Sequence, residues 1–134
     1  MKTNDITLLL GRIFLVLIFL SSGIKKIFGF AGTAGYMASK GMPITSVLLV
    51  GAIILLIVGG LSVLLGFKVK IGTLMLIVFL VPATFIFHNF WGVEEALKGK
   101  ETINFMKNVG LIGGLLILHG SGAGKFSLDG RAES

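Results

Sequence analysis

The sequence predicts an all-α membrane protein, a four-transmembrane-helix bundle with antiparallel up-down neighbours and a hint of two repeated helical hairpins. Three observations lead there. Four apolar stretches, residues 6–24, 44–67, 71–91 and 104–120, carry little charge, and Arg12 is the charge that lies well inside one. Each approaches the ~20 helical residues that a hydrocarbon core of about 30 Å requires. The apolar fraction is 54%, the charged fraction 13% and the mean hydropathy +1.00, far from the balance of a water-soluble domain. Finally, the connection Phe67–Lys70 is so short that the second and third spans must be antiparallel neighbours.

The 134 residues read as a single domain, 1–134, too short for an extramembrane catalytic module. The net charge of +6 is spread over helix ends and loops. That placement suits membrane lipids as partners and not nucleic acid, which calls for a clustered basic patch with interleaved aromatics. The absence of cysteine excludes a disulfide, a thiolate metal site and a dithiol relay within this polypeptide.

The first span follows Lys2 as the core of a signal peptide would. It is long for that role, holds Arg12, and runs through Ser21-Ser22-Gly23 into Ile24-Lys25-Lys26 without a small-residue cleavage pattern, so it is expected to stay in the protein. Within the connection Gly29–Pro43, Ala31–Lys40 is expected to form a short interfacial helix, with Tyr36 and Met37 as amphipathic contacts. Gly51, Gly59, Gly60 and Ser62 let the second span approach its neighbours closely. Pro82 frees a carbonyl in the third span and is expected to kink it. His88–Met106 reads as a loop whose Glu94, Glu95, Lys98, Lys100 and Glu101 form a solvated surface helix. In the fourth span, Gly110 and Gly114 make a GxxxG, assigned to packing within the bundle ahead of a homodimer interface. Residues 121–134 form a polar tail. Gly60-Leu61…Leu64…Gly66 and Gly114-Leu115…Leu118…Gly120 share one spacing, the trace of the repeated hairpins.

Four spans put both termini on one side of the membrane. Lys2, Lys68, Lys70, Lys125 and Arg131 fall on that side against Lys25, Lys26, Lys40, Lys98, Lys100 and Lys107 on the other, and five against six does not orient the chain. The working expectation places the termini in the cytoplasm.

Polar residues gather at the two ends of the bundle. Arg12 lies about 9 Å along the helix from Ile6, at 1.5 Å per residue, and burying it costs some kcal/mol. It is expected either to hold an anionic group, such as a quinone oxygen or lipid phosphate, or to snorkel or pair with Asp5 or Asp129. At the opposite end His88, Asn89 and Trp91 close the third span near Ser22 and Lys26 of the first and Asn104, Lys107 and Asn108 of the fourth. That mouth could bind a quinone carbonyl or relay a proton, or simply anchor the helix as an aromatic belt. His119 falls on the terminal side with Arg12, so His88 and His119 do not clamp one haem. No His/Glu pair at helical spacing argues for a metal. No catalytic residue is assigned, and redox chemistry would need a partner or a bound cofactor. Quinone is the cofactor left open; haem and metal are disfavoured.

The order Gly11-Arg12…Phe19-Leu20-Ser21-Ser22-Gly23…Lys26, then Gly32-Thr33…Tyr36-Met37…Gly41…Pro43, resembles the opening of the DoxX family. So do Gly59-Gly60…Leu64-Leu65-Gly66, Ala83-Thr84-Phe85…Phe87-His88…Phe90-Trp91, Asn104-Phe105-Met106-Lys107-Asn108 and the closing Gly122-Ala123-Gly124-Lys125-Phe126-Ser127-Leu128-Asp129. The resemblance implies a bacterial inner-membrane protein linked to quinone-dependent sulfur oxidation or to oxidoreductase complexes of oxidative and thiol stress, hence redox-enzyme partners. Many members carry a glutamate three residues before the Gly-Gly pair, where this chain has Leu56. The expected function is a non-catalytic or accessory subunit with a quinone- or lipid-binding pocket drawn from Arg12, Ser22, Lys26, His88, Asn89, Trp91 and His119. A small transporter or channel and a structural scaffold are the alternatives.

Overall fold

A computed structural model describes residues 3–133. Lys2, expected on the terminal side, and Ser134, at the end of the polar tail, lie outside the described residues. The described chain is all-helical: α1 (Thr3–Phe28), α2 (Phe30–Ser39), α3 (Thr45–Leu65), α4 (Val69–Phe87), a 3-10 turn (Phe90–Gly92), α5 (Glu95–Ser121) and α6 (Leu128–Glu133). Four helices, spanning Asn4–Phe28, Thr45–Leu65, Val69–Gly92 and Glu95–Ser121, are long and apolar enough to cross a membrane. At most 33% of each span's apolar window is buried inside the protein, so its remaining apolar surface is available to lipid.

α1 packs on α3, α3 on α4 and α4 on α5, each pair antiparallel. The core they share is Val16 and Phe19 of α1, Leu56 and Val63 of α3, Leu76 and Leu80 of α4, and Leu115 and Leu118 of α5. Without a hydrophobic force between helices in lipid, close approach has to come from small residues. A Cβ on Gly60 would lie 2.6 Å from Leu20 of α1, and one on Gly59 3.1 Å from Leu76 of α4. Gly72 of α4 answers Gly59 across the same contact. These three glycines hold α3 between its neighbours. Gly110 and Gly113 of the GxxxG region meet nothing within 4 Å, and Gly114 touches only Leu15, so the glycine face of α5 is little used within the bundle.

Pro82 lies inside α4, which runs on to Phe87. Two expectations come out differently. The fourth spanning helix, α5, begins at Glu95, well before position 104, so most of the expected loop is its first turns. And the Gly/Leu motifs of the two hairpins diverge: Gly66 ends α3 with φ +68°, whereas Gly120 stays within α5, which ends at Gly122 with φ +81°. The short helix expected at Ala31–Lys40 is present as α2, with Met37 buried and Tyr36 half exposed.

Candidate functional site

The two ends of the bundle are built differently. At the terminal end α3 stops in a Schellman cap, in which Phe67 N–H returns to the Ser62 carbonyl at 2.9 Å and Gly66 N–H to Val63 at 3.2 Å. Arg12 brings further donors to the last carbonyls of α3. Its Nη1 donates to Val63 O and Leu64 O, both at 3.2 Å, and its Nη2 donates to Phe126 O of the tail. Arg12 is 1% exposed, and its Nε is buried without a partner among the described residues. A Cβ at Gly66 would collide with the guanidinium and with Ser127, which is a second reason for glycine there.

The tail completes this end. Asp129 accepts from Lys68 N–H at 2.7 Å and Val69 N–H at 2.9 Å, capping the N-terminus of α4, while its own N–H donates to Gly66 O at 2.8 Å. Asp5 accepts from Lys125 N–H at 3.3 Å. Thr73 Oγ1 donates to Lys70 O and lies 3.0 Å from His119 Nδ1. Ala123 and Ser127 of the polar tail are buried here. An open cleft of about 1130 Å³ lies beside them, lined by Lys68, Lys70 and Lys125 but also by Asp5 and Asp129.

The opposite end holds a cavity of about 530 Å³. Its walls are Phe19 of α1, Leu49 and Leu56 of α3, and Phe79 and Leu80 of α4, and α2 contributes Thr33, Tyr36 and Met37. The volume falls within the ~300–1,000 Å³ of small-molecule sites, and an apolar body with a few polar groups is their usual make-up. Besides Thr33 and Tyr36, the polar groups are Ser22, Lys26, His88, Lys107 and Asn108. Lys26 Nζ donates to Ser22 Oγ at 2.7 Å, one turn back on α1, and lies 5.7 Å from the Phe79 ring centroid. Asn108 is only 7% exposed. Tyr36 stacks on Phe87 at 5.5 Å, joining α2 to the end of α4.

His88 Nδ1 lies 3.1 Å from Glu101 Oε2, and Asn104 donates to the other carboxylate oxygen at 3.3 Å. The Glu101 side chain is 15% exposed, which corrects its reading as a solvated surface charge. Starting α5 at Glu95 puts Glu101, Asn104 and Asn108 at i, i+3 and i+7, on one face above Leu111 and Leu115. Trp91 is part of a four-ring knot with Phe85, Phe90 and Phe105, centroids 5.1–6.2 Å apart, that ties α4 to α5.

Of the seven residues singled out in the sequence, the structure brings Ser22, Lys26 and His88 to one cavity. Asn89, just before the 3-10 turn, and Trp91, within it, do not line the cavity, and Arg12 and His119 sit at the other end of the bundle. Leu56 lies in the cavity wall, and Arg12 pairs with backbone carbonyls seven and eight residues further along α3. Thr33, Tyr36, Lys107, Asn108 and, behind His88, Glu101 complete the site.

The comparisons agree with this architecture. The inner membrane proteins YphA and YqjF of Escherichia coli (strain K12) are each 35% identical over 128 residues, covering 96% of this chain and 91% and 93% of theirs. A stretch of 69 residues is 38% identical to the Surfeit locus protein 4 homolog of Schizosaccharomyces pombe, covering 50% of this chain and 23% of that one. No solved structure gives a significant match. The DoxX family model matches residues 7–89, from the first turns of α1 to the end of α4. Four membrane-spanning helices, that match and two relatives similar over almost their whole length make this chain a member of the DoxX family.

Proposed function

We propose that this protein is a non-catalytic subunit of the bacterial inner membrane that holds one amphiphile, a lipid or a quinone, in the cavity lined by α1, α2, α3, α4 and α5 for a redox or stress-linked partner enzyme. The observation that carries the reading is the cavity itself: an apolar body reaching Leu56 and Leu80, with Ser22, Lys26, His88, Lys107 and Asn108 among its lining. The inner-membrane setting rests on the names of the two Escherichia coli relatives. The partner rests on the family resemblance alone. A path through the bundle, as a transporter needs, is disfavoured because α3 and α4 meet through Gly59, Gly72 and Leu76 below the cavity, and Arg12 and the tail close the far end.

The test is native mass spectrometry of protein extracted in a mild detergent. One lipid or quinone should stay bound per chain, and Ala52→Phe, which fills the cavity with apolar bulk, should remove it. Wild-type protein that emerges empty from membranes containing both ligands would end the proposal. A homodimer through the open glycine face of α5 would appear in the same spectra as a doubled mass.

A further inference from the structure

The charges around the cavity say which amphiphile it suits. Among the described residues lining it are two lysines and a histidine, and no aspartate or glutamate. The nearby carboxylate of Glu101 is engaged by His88 and Asn104. Lys26 is half buried, and the contacts found for its ammonium are the Ser22 hydroxyl and the face of Phe79. A buried or half-buried charge is costly without an opposite charge, and neither a hydroxyl nor a ring supplies one. Lys107 adds a second cation at the same rim, beside the buried amide of Asn108.

The cavity's depth adds a second constraint. On α4 its lining runs from His88 back to Val78, and on α3 from Leu48 to Leu56. At 1.5 Å per residue these are about 15 Å and 12 Å, half of a hydrocarbon core of about 30 Å. From the loop end of the bundle the cavity thus reaches about half of a core's thickness, the depth of a single chain in one leaflet. Neutral quinones would satisfy the apolar walls and leave Lys26 uncompensated.

We infer that the occupant is a long-chain carboxylate, with its anionic head against Lys26 and Lys107 and its single tail running between Phe19, Leu49, Leu56 and Phe79. Ser22 and Asn108 donate to the same head. α2 covers it through Thr33 and Tyr36. The inference rests on the amphiphile reading above and narrows it to one head-group chemistry.

The experiment equilibrates the full chain, in non-ionic micelles, with palmitate, palmityl alcohol, decylubiquinone or lysophosphatidylglycerol and reads bound ligand by native mass spectrometry. Palmitate should bind one to one and at least about tenfold tighter than the alcohol, because a charge-assisted hydrogen bond is lost in the latter. Lys26→Gln should erase that difference by weakening palmitate alone, and Lys26→Arg should restore it. Ala52→Phe should abolish binding. Equal or tighter binding of the alcohol or the quinone would overturn the anionic head while leaving the amphiphile reading intact. Preference for the lysophospholipid would overturn the carboxylate in favour of a phosphate. Palmitate that persists on Ala52→Phe would place it outside the cavity and overturn the inference. If none of the four binds, the amphiphile reading falls with it.

Discussion

Both ends of this bundle bring cationic groups into an apolar setting, and they treat them in opposite ways. At the terminal end Arg12 is 1% exposed and spends its donors on the carbonyls of Val63, Leu64 and Phe126, while Asp129 caps α4 through two backbone N–H groups. The polar atoms there are used up in closing helix ends. At the loop end Lys26 has a hydroxyl and a ring for company, and its neighbours surround a space of about 530 Å³. A charge used by backbone is structure. A charge left facing a cavity is available for a ligand. The contrast also shows why an intramembrane arginine, the most conspicuous functional candidate in the sequence, can instead be a helix cap delivered from another helix.

Substitutions can break this contrast at either end. The largest loss of stability is expected for Arg12→Ala, about 3–5 kcal/mol, because three carbonyls lose a charged donor from a buried side chain. Equilibrium unfolding in bicelles measures it, and Arg12→Met should fare no better, since the stem alone makes none of those bonds. Next comes Gly66→Ala, at about 1–3 kcal/mol, where the left-handed backbone and the collision with Arg12 and Ser127 add up. Asp129→Ala should cost about 1–2 kcal/mol through the lost cap on Lys68 and Val69 N–H, and it should increase amide exchange in the first turn of α4. At the other end Lys26→Gln should not lower stability, because it takes an uncompensated charge out of a half-buried position. Its effect should appear in ligand retention instead.

Much of this was legible in the residues. The four spans, the short α2, the gathering of polar groups at two ends and the separation of His88 from His119 all follow from hydropathy and helical geometry. The start of α5 was hidden because Glu95–Ile103 is polar, and a hydropathy scan trims a polar helical extension from its apolar continuation. Its signal lies in the spacing of Glu101, Asn104 and Asn108, which is helical and shared with Leu111 and Leu115. The partners of Arg12 could not be read at all. Asp5 and Asp129 were the visible candidates, but carbonyl acceptors leave no mark in a sequence, and the choice depends on where α3 ends. Asp129 turned out to cap α4, a role that needs the tail to fold back over the α3–α4 turn.

The central claim, that one end of the bundle is sealed structure and the other a ligand site, is tested most directly by measuring palmitate affinity per folded molecule together with Tm for Arg12→Ala and Lys26→Gln. The account predicts a crossed result. Arg12→Ala should lose Tm and keep the affinity of its folded fraction, and Lys26→Gln should keep Tm and lose about tenfold in affinity. Loss of affinity in folded Arg12→Ala, with Lys26→Gln binding like the wild type, would contradict it.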